Sequence, residues 1–478
     1  MTHSRNDLFL GGAFVPAHTS RRIPLVNPAD EVQIATVPDS DAADVDNAVA
    51  AARGALKPWS ATAPADRARL LAALADKYQA RAHEISRLVT SQNGSPLWWT
   101  ELANESLPVG AYRGAAHLAG NLVEEAELVL GAGRSLLRRE AVGVVGVIVP
   151  WNAPQGLLAV RMAPALAAGC TVVVKPSPET SLDAYVLGEI IAAAQFPPGV
   201  VNIVTGGRET GAALVAHQGT DKISFTGSVA TGRVIAAACG QQLKPVSAEL
   251  GGKSAAVILA DADLEQFKQA VVQSCLPYSG QVCYAWTRIL VHQRRYAEVL
   301  DLLETVLRKA PLGDPTDPAT LFGPLVSAVQ RDRVEGYIAA GCSEGARLAI
   351  GGGRPPGLPK GYYVEPTVFL DVRPEMRIYQ EEIFGPVLVV VPFADDQEAL
   401  ALVNDSTFGL SGAVFSADPE HSRELARGME TCKVVVNGAP GAPGANPGGY
   451  KNSGLGRDGS LDPVSTYQRV KNITQPAK

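Results

Sequence analysis

From about residue 141 onward the chain alternates short apolar runs with longer amphipathic ones, and this alternation restricts the possible folds more than any other feature. Residues 144–149 read as a buried strand, 154–168 as a helix and 171–174 as a strand. A helix over 181–194 then carries Leu182, Tyr185, Val186 and Ile190 on one face. Strands over 200–204 and 222–225 alternate with helices over 209–217 and 228–239. Short Gly- and Pro-containing turns separate these elements, which predicts an α/β protein built on a parallel, doubly wound sheet. A second α/β stretch spans about 255–435.

The first 35 residues predict β-hairpins, punctuated by Gly11-Gly12 and Asn27-Pro28. Helices are expected over 44–56, over 66–92 with a stop at Asn93-Gly94, and over much of 96–120. At 478 residues the chain is long enough for two or three domains. Its net charge of −6 leaves no basic footprint for nucleic acid. The longest apolar stretch, 157–174, is broken by Arg161, Pro164 and Gly169, so no membrane span is expected. The apolar patch near the N-terminus is too short and Gly-rich for a signal peptide. The six cysteines form no C-x-x-C pair, which predicts reduced thiols in a cytoplasmic protein. No His or Cys cluster has metal-ligand spacing, so no metal site is expected.

In open parallel sheets, sites form at the carboxyl ends of strands. Four candidate groups fall there: Pro150-Trp151-Asn152, Lys175-Pro176-Ser177, Thr226-Gly227-Ser228, and Glu249 leading into Gly251-Gly252-Lys253. Gly227-Ser228 with Gly232 could offer backbone N–H groups and a helix N-terminus to a phosphate, although glycine at such a turn also serves a purely steric need. Lys175 is either a solvated lysine or a ribose or phosphate ligand. Cys283 lies in a small-residue segment, Gly280-Gln281-Val282-Cys283, where a turn would leave its thiol approachable. Glu249 is a candidate base for that thiol; a surface carboxylate and a structural cysteine are the alternatives.

Together these segments resemble the aldehyde dehydrogenase superfamily. The resemblance rests on PWN (150–152), KPS (175–177), FTGS (225–228), ELGGKS (249–254), GQVC (280–283), EEIFGPV (381–387) and GGYKNSGLGR (448–457), in the family's order and over essentially the whole chain. It implies that Cys283 is the nucleophile, passing through a thiohemiacetal and a thioester, that Asn152 holds the oxyanion, and that Glu249 is the general base. It further implies that Lys175, Ser177, Trp151, Gly227, Ser228, Gly251, Glu382 and Phe384 bind the cofactor, NAD with NADP possible. The implied architecture is two doubly wound α/β domains and a small β arm. A nucleotide-binding domain would cover 1–120 and 138–248 and a catalytic domain 249–435. An arm and C-terminal segment, 121–137 and 436–478, would pair copies into a homodimer or homotetramer.

Two departures from the family pattern bear on specificity. Many NAD-using members carry Glu three positions after the lysine; here that position is Pro178 and the carboxylate follows at Glu179. In the substrate tunnel, Ala153, Val160 and Pro447 stand at commonly aromatic positions, and Val282 and Tyr284 flank the nucleophile. A wider, apolar tunnel for bulky aromatic, terpenoid or long aliphatic aldehydes is therefore expected; no Arg or Lys is evident that must clamp a carboxylate, with Arg161 and Arg113 left open for that role. The alternatives are a CoA-acylating semialdehyde dehydrogenase, which Glu249 argues against, and a non-catalytic protein on the same fold.

Overall fold

The computed structural model describes residues 4–130, 133–440, 448–458 and 462–476. Its larger sheet has eight strands, in the order Ala13–Pro16, Asp7–Leu10, Val201–Ile203, Thr171–Lys175, Val144–Ile148, Lys222–Thr226, Val246–Glu249 and Gly454–Leu455. The central five are parallel, while the N-terminal hairpin and the late strand Gly454–Leu455 close the edges antiparallel. Alternation along the strands divides the core. Val145, Val147, Val172 and Val174 face one apolar layer, and Val144, Ile148 and Val173 face the other. Strands buried on both faces have continuous apolar runs, which is why the sequence shows them so plainly.

The second sheet has seven strands, in the order Arg347–Ile350, Thr367–Leu370, Val387–Phe393, Arg288–His292, Ala255–Ile258, Gly412–Phe415 and Val434–Val436. All its pairings are parallel except that of the first strand. A three-stranded antiparallel sheet joins Glu125–Leu130, Gly133–Ala141 and Gln468–Pro476. The turn expected at Gly131-Ala132-Gly133 has residues 131 and 132 outside the described residues. Among the described residues no helix is long and apolar enough to cross a membrane, and no group of three or more His, Cys, Asp or Glu side chains could hold a metal ion.

Helix ends follow local chemistry. Asp41 and Asp44 form a reciprocal capping box at the start of Ala42–Ser60, the kind of cap whose loss costs about 1 kcal/mol. Pro64–Asn93 stops at Gly94, whose φ of 74° is left-handed and whose absent side chain leaves room for Pro324.

The single helix expected over 96–120 is instead three pieces: an α-helix Leu97–Glu101, a π-helical turn Leu102–Ser106 and an α-helix Leu107–Gly120. Pro108 accounts for the interruption. It has no N–H to give the Asn104 carbonyl, which instead accepts from the Tyr78 hydroxyl at 2.7 Å. The helix Pro154–Ala167 presses against this turn at Gly156, where any side chain would collide with the Ala103 carbonyl.

Candidate active site

Parallel strands share one carboxyl edge, and that edge gathers the groups picked out in the sequence. Val144–Ile148 runs into Trp151 and Asn152, Thr171–Lys175 ends on Lys175, Lys222–Thr226 turns at Gly227, and Val246–Glu249 ends on Glu249. Cys283 comes from the other sheet's side, just before Arg288–His292. A tight turn delivers it: Tyr278, Ser279 and Gly280 all have positive φ, and a side chain on Gly280 would collide with the Gly385 carbonyl. Such strain in non-glycine residues is held by anchors. The Tyr278 hydroxyl donates to the Asn93 carbonyl, and the Ser279 hydroxyl donates to Gly323 O at 2.8 Å.

Asn152 is 4% exposed and donates from Nδ2 to Gln281 O at 3.0 Å, two residues before the thiol. A primary amide carries two N–H bonds, so one fixes its orientation and the second remains for a ligand. Gly252 brings the ELGGK segment against the nucleophile, since any side chain there would collide with the Cys283 carbonyl. Gly251 likewise has no room for more than hydrogen, because the Glu382 carboxylate occupies the space, accepting from the Gly252 N–H at 2.9 Å.

The electrostatics are uniform across this region. Burial pushes the half-buried Cys283 thiol up to about 12, and the charges of Glu382 and then Glu249 add to the effect, against Arg161. Burial also raises Glu249, with Arg161 and the Gly449 N–H pulling the other way. It raises Glu382 to about 7. Arg161 is engaged with the C-terminal segment: it is 2% exposed, donates to Leu157 O at 3.0 Å and lies 3.6 Å from Asp458. Asp458 in turn accepts from the hydroxyls of Ser224 and Ser247, tying the tail to two strands of the larger sheet. Arg113 is half-exposed, bound to Gln79 at 2.6 Å and Asp76 at 3.4 Å on the surface, so it clamps nothing at this site.

At the far end of the edge, Lys175 is buried and donates to Gly206 O at 2.9 Å. Burial lowers it to about 8, opposed by the charges of Glu179 and Asp39. Ser177 donates to Glu179 at 2.5 Å, which fixes the carboxylate displaced by one residue beside the KPS turn. Ser228 is exposed and caps the helix Val229–Gln241, accepting from the Thr231 N–H at 3.2 Å. Phe384, at φ 61°, meets Trp151 edge-on with centroids 5.4 Å apart.

The predicted tunnel residues do not all come together. Ala153 and Val282 share one apolar cluster with Trp99, Ala103, Tyr278 and Ala285, and Trp98, Trp151 and Leu157 pack against it. Tyr284 is 38% exposed and meets Trp99 with centroids 6.5 Å apart. Val160 lies outside this cluster, and Pro447 falls outside the described residues. Trp98, Trp99 and Tyr278 bring aromatic rings to this cluster from the broken helix and the Cys283 turn. The Trp98-Trp99 doublet was the available signal.

The chain belongs to the aldehyde dehydrogenase family, whose model matches residues 14–473. It is 44% identical over 476 residues to a geranial dehydrogenase of Castellaniella defragrans, covering 99% of each chain. It is 39% identical to the chloroplastic betaine aldehyde dehydrogenase of Beta vulgaris, covering 98% of this chain and 95% of that one. Among solved structures, a Mycobacterium tuberculosis aldehyde dehydrogenase complexed with NAD+ matches at TM-score 0.96 and 40% identity, covering 100% of this chain and 99% of that one. A mutant aldehyde dehydrogenase C of Pseudomonas syringae, complexed with NAD+ and octanal, matches at 0.95 and 36%, covering 99% and 97%. The protein is thus an oxidoreductase acting on aldehydes, with the mixed α/β fold of that family.

Proposed function

We propose that this enzyme oxidises bulky apolar aldehydes to carboxylic acids with NAD, through a covalent intermediate on Cys283. The observation that supports this reading is that Asn152 donates to the turn bearing Cys283, while Gly252, three residues after Glu249, packs against the Cys283 carbonyl.

The residues present fit a dinucleotide. Ser228 offers a capped helix N-terminus to a pyrophosphate. Lys175 and Glu179 suit ribose hydroxyls, with Ser177 orienting the carboxylate. Glu382 and Phe384 lie beside the Gly251-Gly252 segment and Trp151, where the second ribose and its base would rest. Bound there, NAD supplies the hydride acceptor. The Glu179 carboxylate near Lys175 would repel a 2′-phosphate, which favours NAD over NADP.

In the chemical step the thiol loses its proton to Glu249 as Cys283 attacks the aldehyde carbon. The tetrahedral oxyanion accepts from the free Asn152 N–H and the Cys283 backbone N–H, donors worth about 3 kcal/mol each in such sites. Once the hydride has left, the acyl group remains as a thioester. Glu249 gives that first proton up to solvent and then takes one from water, which attacks the acyl carbon; the carbon–sulfur bond breaks, the acid leaves, and the proton on Glu249 passes to the departing sulfur to restore the thiol. A raised carboxylate is the stronger base, so burial of Glu249 serves both steps.

The substrate class rests on the apolar character of the cluster that joins Ala153, next to the oxyanion donor, to Val282, next to Cys283. The similar proteins named for geranial and crystallised with octanal point the same way. The eight-stranded sheet would form the nucleotide-binding domain, the seven-stranded sheet the catalytic domain, and the three-stranded sheet an arm that pairs copies into a dimer or tetramer. A steady-state screen with both cofactors tests the reading. Higher kcat/KM for geranial, decanal and benzaldehyde than for acetaldehyde, and a lower KM for NAD than for NADP, are expected; the reverse order of aldehydes would overturn the substrate class.

A further inference from the structure

We propose that Trp99 is a positioning residue for the oxidation, fixing the separation between the oxyanion donor and the nucleophile. This inference rests on the role proposed above for Asn152.

Trp99 is 3% exposed and sits in the five-residue helix Leu97–Glu101, directly before the π-helical turn. Its indole N–H donates to the Asn152 carbonyl at 3.3 Å. The carbonyl of the preceding residue, Trp151, accepts from Asn93 Nδ2 at 2.9 Å. The Trp151–Asn152 segment precedes Pro154 and carries no regular backbone ladder of its own, so these two side chains anchor it. A buried carbonyl without a partner is costly, which gives the indole bond a definite task.

The same ring faces the other half of the site. It stacks on Tyr278 with centroids 6.4 Å apart and an interplanar angle of 21°, and it meets Tyr284 at 6.5 Å. Tyr278 opens the left-handed run that leads to Cys283, and Tyr284 follows the nucleophile directly. One rigid indole therefore touches the segment bearing Asn152 and both flanks of the segment bearing Cys283. Displacement of a donor by a fraction of an ångström weakens a preorganised oxyanion site more than it weakens substrate binding. The effect should accordingly fall on kcat rather than KM.

The test is a double-mutant cycle. Trp99→Phe keeps a ring and deletes the N–H; it is expected to lower kcat by roughly five- to tenfold, the worth of one hydrogen bond, with KM for aldehyde and NAD within about twofold of wild type. Combined with Asn152→Ala it should cost nothing further, since it acts through that residue. Alkylation of Cys283 by iodoacetamide, which needs no oxyanion donor, should keep its wild-type rate. Unchanged kcat in Trp99→Phe, an equal loss on top of Asn152→Ala, or a parallel loss of alkylation would each overturn the assignment. Should Trp99→Phe fail to fold, Trp99→His, which retains a ring N–H, is compared with Trp99→Leu: higher kcat for histidine supports the role, and equality contradicts it. Wild-type enzyme that oxidised no aldehyde would sink the proposed function and this inference together, whereas an active wild type with an unaffected Trp99→Phe sinks this one alone.

Discussion

The two ends of the carboxyl edge treat buried charge in opposite ways. At Lys175, burial disfavours the ammonium while Glu179 and Asp39 support it, and Gly206 O accepts a hydrogen bond from it. At Cys283, burial disfavours the thiolate, and Glu382 and Glu249 disfavour it further. A binding end keeps its charge ready for a ligand. On the proposed mechanism the reacting end would store its proton on sulfur until an aldehyde arrives and Glu249 can take it. Free thiolate is the species that alkylating agents and oxidants attack, so a nucleophile held as thiol is protected between turnovers.

The largest way to break this contrast is to remove the sulfur. Cys283→Ala is expected to lose roughly four or more orders of magnitude in kcat, as deletions of a covalent nucleophile do, while fluorescence titration still reports NAD binding at the Lys175 end. Glu249→Gln comes next. Loss of a general base should lower turnover about a hundred- to ten-thousandfold. In the wild type the same base should set the acid limb: turnover falls as pH drops through a Glu249 value that burial holds above its ordinary one, because protonation removes the base. A pH–kcat profile flat down to pH 4 would contradict this.

Asn152→Ala should cost about a hundredfold or more in kcat and change alkylation of Cys283 far less, since alkylation forms no oxyanion and the turn keeps its Tyr278 and Ser279 anchors. The smallest expected effect sharpens the contrast most. Glu382→Gln removes the larger of the two carboxylate charges opposing the thiolate, so the thiol titrates lower and iodoacetamide should react about several-fold faster at pH 8 as the thiolate fraction rises. Slower alkylation would show that Glu382 does not face the sulfur.

Much of this architecture was legible in the sequence because the central strands are buried on both faces and flanked by Gly and Pro turns. The strand at Thr171–Lys175 and the Gly94 stop are examples. The broken helix was not legible, because Pro108 interrupts a pattern that otherwise keeps helical spacing, and the compensating hydroxyl of Tyr78 lies 26 residues away. Motif order carried the candidate site: Cys283, Asn152 and Glu249 are too far apart in the chain for spacing to bring them together. Trp99 escaped notice because its partner, the Asn152 carbonyl, is a backbone atom that no residue pattern reveals. The antiparallel strand Gly454–Leu455 was hidden for a similar reason, being two residues long in a Gly-rich tail.

The covalent step can be read directly. Wild-type enzyme mixed with NAD and decanal, quenched in acid within the first turnover and digested, should yield the peptide containing Cys283 heavier by one decanoyl group in place of the thiol hydrogen, with up to one equivalent of NADH formed. Stoichiometric NADH with an unmodified Cys283 peptide, or a decanoyl group on Cys432 or another cysteine, would contradict the account.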